Sequence, residues 1–115
     1  MTTYEEIKSK READLKAIFN HFRAINQLNK LHEEVEEFMD VFTCFYRHDP
    51  TDENWEYMIE ELADIKVVLE QFEIILADDA QHDGKLYHTL LEKKKAEKIE
   101  RTLDRMRSGY YDRER

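Results

Sequence analysis

Residues 21–46 read HFRAINQLNKLHEEVEEFMDVFTCFY, and residues 53–77 read ENWEYMIEELADIKVVLEQFEIILA. In the first stretch Ile25, Leu28, Leu31, Val35, Phe38, Phe42 and Phe45 recur in steps of three and four. In the second, Trp55, Ile59, Leu62, Ile65, Leu69, Phe72 and Leu76 do the same. That spacing keeps apolar side chains on one side of a 3.6-residue repeat, so each stretch predicts an amphipathic helix. Between them, Pro50 disfavours helix at the residue before it. Thr51 or Asp52 supplies an N-cap, and Asp52, Glu53 and Glu56 suit the positive end of the next helix dipole. Two helices joined this tightly predict an antiparallel hairpin.

Outward from the hairpin, residues 3–19 carry Tyr4, Ile7, Leu15 and Ile18 at helical spacing, with a break near Asn20-His21. Residues 85–107 offer Leu86, Leu90, Leu91, Ile99, Leu103 and Met106, an apolar face interrupted by the polar run Glu92–Lys98. A helix of that kind lies over a surface or lines a wet cleft. Breaks are expected at 78–84 and at Ser108-Gly109, where glycine suits a helix C-cap. Two glycines and one proline in 115 residues leave too few turns for a sheet. The reading is one all-α domain over 1–115, a four-helix bundle. Its core is modest, which predicts completion by a second copy in a dimer or tetramer.

Eighteen basic residues against 27 acidic ones give a formal net charge of −9. Such a surface disfavours general binding to nucleic acid or to an anionic membrane. No apolar run approaches the ~20 residues that span a bilayer, and the N-terminus is charged within five residues, unlike a signal peptide. A cytoplasmic protein is expected. The lone cysteine, Cys44, sits in an apolar run and is expected to be a buried, inert thiol.

The carboxylates have a pattern of their own. Residues 33–37 are Glu-Glu-Val-Glu-Glu and residues 60–64 are Glu-Glu-Leu-Ala-Asp. Taking Val35 and Leu62 as core references, Glu34 with Glu37 and Glu61 with Asp64 stand one position before and two after. Each is an i, i+3 pair on one helix face. Their midpoints lie 14 residues before and 13 after the centre of the turn. In an antiparallel hairpin the two pairs therefore meet at one level. Four carboxylates brought together raise each other's pKa unless a cation joins them. Clustered hard oxygens suit magnesium, at ~2.1 Å, with manganese as a substitute.

At these residues the sequence resembles the MazG-like all-α nucleoside triphosphate pyrophosphohydrolases, a superfamily that also holds dimeric dUTPases and phosphoribosyl-ATP pyrophosphohydrolases. Its EExxE…ExxD signature is matched by Glu33, Glu34 and Glu37, then Glu61 and Asp64, with 23 residues between Glu37 and Glu61. Gln27-Leu28-Asn29-Lys30-Leu31 looks like the family's approach to the first motif, and Glu61–Ile65 like its E-L-x-D-[VIL]. The resemblance covers about residues 20–107. It implies magnesium held by Glu34, Glu37, Glu61 and Asp64, a homo-oligomer, and hydrolysis between the α and β phosphates, as in nucleotide-pool sanitation. It makes Gln27 and Lys30 candidate substrate contacts. Glu33, next to the acids but at a different angle, is a candidate to orient water or act as base, with a structural role equally open. Family members often carry a basic K-x-x-x-N-x-x-R helix that reaches the phosphates; Lys94, Lys98 and Arg101 fall on that spacing, with Lys98 in place of the asparagine, and are candidate substrate contacts that hold the departing pyrophosphate.

Two rival readings stand beside this one: a phosphoribosyl-ATP pyrophosphohydrolase, and a non-enzymatic helical interaction protein whose acidic faces serve solubility. A di-iron carboxylate bundle would want Glu-x-x-His motifs on facing helices, and none is present; Asp79-x-x-His82 is the nearest approach. No P-loop sequence occurs.

Overall fold

The computed structural model describes residues 3–79 and 83–110. It contains four helices and, among the described residues, no strand: α1 (Tyr4–Phe22), α2 (Ala24–Arg47), α3 (Asp52–Ala77) and α4 (Gly84–Arg107). The all-α reading holds. The chain divides into two compact units, residues 1–75 and 76–115, so that α1, α2 and most of α3 form one and α4 belongs to the other. No described helix is long and apolar enough to cross a membrane.

Local chemistry accounts for the helix ends. Thr3 and Glu6 form a reciprocal capping box at the start of α1. Thr51 Oγ1 accepts from the Asn54 amide, 3.2 Å away, and caps α3. Asn54 Nδ2 donates to the Asp49 carbonyl at 2.8 Å, tying the hairpin link to the helix that follows it. Asp83 caps α4 by accepting from the Lys85 amide. Gly109, at φ 76°, ends α4 in the left-handed region that favours glycine. The break expected at 78–84 includes residues 80–82, which lie outside the described residues, as does His82.

The break between α1 and α2 is shorter and later than the sequence suggests. It is the single residue Arg23, at φ 71° and ψ 155°, rather than a turn near Asn20-His21. Its amide still donates to the Phe19 carbonyl, and its own carbonyl accepts from Gln27, so both helices close around it. Nothing in its side chain signals this. Such a dihedral pair costs a non-glycine residue roughly 1–3 kcal/mol.

The core of the first unit is small. Leu15, Ile65 and Val68 are its buried apolar residues. Phe19 meets Phe72 edge-on with ring centroids 5.3 Å apart, joining α1 to α3, and Arg11 Nε donates to Glu70 at 3.0 Å between the same two helices. The contribution of α2 is unusual, because its two buried residues are Gln27 and Glu34.

This corrects the expected core stripe. On α2, Gln27, Leu31, Glu34, Phe38, Val41 and Phe45 are less exposed, again in threes and fours, with Cys44 beside the last of them. A second apolar stripe, Ile25, Leu28, Val35, Met39, Phe42 and Tyr46, is exposed. The helix thus has two apolar faces, and the sequence reading drew Leu31, Phe38 and Phe45 from one and Ile25, Leu28, Val35 and Phe42 from the other. On α3 the inner residues are Ile65, Val68 and Gln71, while Trp55, Ile59, Leu69 and Leu76 are exposed. Cys44 is also corrected: it is a free thiol only half-buried, with Asn54 Nδ2 3.9 Å from its sulfur.

Candidate metal centre

Burying a carboxylate costs several kcal/mol unless it is paired, so Glu34 on the inner face of α2 demands an explanation. It is 6% exposed. Lys30, one turn earlier, donates from Nζ to Glu34 Oε1 at 2.9 Å. That bond holds the Glu34 carboxyl below its ordinary range, against the opposing effect of burial. Glu34 Oε2 remains without a hydrogen-bond partner, and so does Glu61 Oε2.

Helix α3 brings the other acids. Ligand oxygens of Glu34, Glu61 and Asp64 all lie within 4.8 Å of one another, with Glu34 buried, Glu61 half-buried and Asp64 exposed. The convergence expected from the mirrored spacing is therefore present for these three. Glu37 is exposed and falls outside that group of three. It still interacts with Glu61. The Glu61 carboxyl is pushed up to about 7, first by burial, then by Glu37, and further by Asp64 and Glu34. Glu33 is exposed, outside the group of three, and close enough to Lys30 to help raise its pKa.

The donor set fits a hard divalent cation. Two unit charges about 5 Å apart repel by roughly 3 kcal/mol at an effective dielectric near 20. One ammonium, Lys30, does not neutralise the cluster. Opposite ligands of a single magnesium ion stand ~4.2 Å apart, twice its ~2.1 Å bond length, so the observed spacing needs only small side-chain adjustments. The unpartnered oxygens of Glu34 and Glu61 are the acceptors such an ion would satisfy.

A cleft of about 380 Å³ opens beside the cluster. Ile18, Phe22, Val67 and Val68 give it apolar walls. Lys30 and Asp64 stand at its border with the acids, and Asn26, Gln27 and Gln71 supply its other polar groups. Gln27 and Lys30, expected as substrate contacts, are thus gathered with a metal-ligand candidate. Gln71 is a residue that sequence reasoning passed over; it stands seven positions after Asp64, two turns along the same face.

On α4, Lys94, Lys98 and Arg101 line one groove of about 360 Å³ together with Glu97. The i, i+4, i+7 reading of their shared face is what the helix shows. Lys94 Nζ approaches Glu97 at 3.7 Å, an exposed pair of little energetic weight. Comparison of the chain with protein-family models, with curated proteins and with solved structures found no match to any of them.

Proposed function

We propose that this protein is a magnesium-dependent hydrolase that converts a nucleoside triphosphate to its monophosphate and pyrophosphate. The observation that carries the reading is the meeting of Glu34, Glu61 and Asp64 within 4.8 Å, with two oxygens unpartnered, at the edge of a cleft bordered by Lys30. The resemblance of the two motifs supports the same chemistry. Glu34, Glu61 and Asp64 would hold the ion, with Glu37 beside Glu61 as a fourth ligand. Bound there, magnesium supplies charge neutralisation at the phosphates and acidifies a water.

The chain's own groups do the rest. Lys30 is positioned by Glu34 and presents a cation at the mouth of the cleft, where a phosphate oxygen can take its remaining donors. Asp64 lines the same cleft and is close enough to Lys30 to help keep it charged. Glu33, exposed near Lys30, is the group we assign to orienting water. Catalysis of this kind is mainly positioning and electrostatic stabilisation.

The test is pyrophosphate release across the common ribo- and deoxyribonucleoside triphosphates and phosphoribosyl-ATP, with magnesium, manganese or chelator. The proposal expects pyrophosphate and monophosphate in equal amounts from at least one triphosphate, abolished by chelator. Activity confined to phosphoribosyl-ATP would change the substrate. No release from any nucleotide would leave a non-enzymatic helical protein.

We also propose that the working form is a homo-oligomer. The exposed stripe on α2 repeats in steps that suit a helix–helix seam, and its Phe42 and Tyr46 rings stack at 4.6 Å. Sedimentation equilibrium should give a multiple of the 14.0 kDa chain mass. A single-chain mass at micromolar concentration would contradict it.

A further inference from the structure

Gln71 is 2% exposed and its side-chain carbonyl has no hydrogen-bond partner. Its orientation is set by the other end of the amide, where Nε2 donates to the Val67 carbonyl at 3.3 Å. Turning the amide over would place two carbonyl oxygens against each other, so Oε1 remains an unpartnered acceptor, closed off from solvent, on a residue that lines the cleft. A buried amide oxygen without a donor is costly, and a ligand that brings the donor recovers that cost. Across the cleft, Gln27 is also 2% exposed.

The positions of these two glutamines are informative. Gln27 precedes Glu34 by seven residues on α2, and Gln71 follows Asp64 by seven on α3. The helices run in opposite directions, so both amides are displaced from the carboxylates toward the same end. The displacement is about 10 Å, seven residues at ~1.5 Å each. That is the reach from a phosphate, across a sugar, to the far edge of a base. The cleft volume of about 380 Å³ falls within the roughly 300–1,000 Å³ of small-molecule sites.

We propose that this cleft takes the base of the nucleotide, packed against Phe22 and Val68, with Gln71 Oε1 accepting a hydrogen bond from an N–H on the base edge. The proposal rests on the nucleotide reading given above and adds to it a residue that sets specificity. Gln71 touches the substrate at a site remote from the reacting phosphorus, so it discriminates between bases and leaves the metal site alone.

The test uses matched nucleotide pairs that differ only in that donor. ATP is paired with purine riboside triphosphate, and CTP with 2-pyrimidinone riboside triphosphate. For whichever pair the wild-type protein accepts, kcat/KM should favour the amino base by about 10- to 100-fold, the range expected when a buried acceptor loses its donor. In Gln71→Met the ratio should fall to near one, while magnesium still shifts the melting temperature as in wild type. Equal kcat/KM within the wild-type pairs, or an unchanged ratio in Gln71→Met, would overturn the proposal while leaving the hydrolase reading intact. If Gln71→Met does not fold, the wild-type ratios decide alone. If neither pair is hydrolysed, calorimetric binding of the same pairs in calcium decides on the cleft: a preference for the amino base supports it, and equal or absent binding overturns it. If no nucleotide at all is hydrolysed, the hydrolase reading fails as well.

Discussion

Glu61→Gln is expected to reduce pyrophosphate release by more than about 100-fold, beyond the roughly 10- to 100-fold cost of disturbing groups that merely support metal ligands. The same substitution should stabilise the metal-free protein at pH 8. The two effects have one cause. In the wild type, burial and the neighbouring Glu37, Asp64 and Glu34 push the Glu61 carboxyl up to about 7. At pH 8 it is therefore ionised at a place that disfavours charge, and glutamine has the same shape without the charge. The variant should keep its helical circular dichroism, melt higher than wild type in chelator, and melt at the same temperature with or without magnesium. Full turnover by Glu61→Gln would remove this residue from the mechanism. A large loss of helicity would show that it holds the fold.

Raising the pH from about 4.5 to about 7 is expected to destabilise the metal-free protein, and magnesium should cancel much of that loss. The sign follows from linkage. Glu61 titrates near 7 in the folded chain and near its ordinary 4.5 when unfolded, so between those values the folded state binds more protons. Stability is fully present below 4.5 and is lost as pH rises to 7. Glu34 acts in the other direction and in another window: Lys30 lowers its pKa, so its contribution is present above 4.5 and disappears only in more acid solution. The two do not cancel near neutrality. A cation that needs Glu61 ionised competes with its proton, so magnesium affinity should rise about tenfold per pH unit below 7 and level off above it. At 100 times its dissociation constant magnesium should add about 2.7 kcal/mol. Denaturant titrations at pH 5, 6, 7 and 8, with and without magnesium, measure all of this. A metal-free stability that is flat or rising across this range would contradict the assignment of Glu61.

Much of this arrangement was legible in the chain. Helical spacing located α2 and α3, and the similar distances of the acid pairs from the Asp49-Pro50 turn, 14 and 13 residues, placed Glu34, Glu61 and Asp64 at one level. The common level follows from the fixed rise per residue; the angle does not, because it was measured from Val35, which is exposed, while Glu34 itself is on the inner face. What was not legible depends on which of several competing faces wins. Helix α2 carries apolar residues on two faces, and periodicity alone does not say which one meets α1 and α3. The inner face proves to hold Gln27 and Glu34 where a hydrophobic core would have apolar residues. Gln71 reads as an ordinary surface residue by type, and only its spacing from Asp64 hints otherwise. The break at Arg23 has no signal at all, because its dihedral angles would ordinarily call for glycine. These departures from local rules concentrate around the cleft and the acids, as functional sites tend to do.

The claim on which the rest depends is that α2 and α3 present one shared cation site. Manganese bound to crystals of the protein and located by its anomalous scattering tests it most directly. A peak is expected about 2.0–2.3 Å from oxygens of Glu34, Glu61 and Asp64, lost in Glu61→Gln. Well-ordered side chains with no peak among them at millimolar manganese, or a peak elsewhere on the acidic surface, would contradict it.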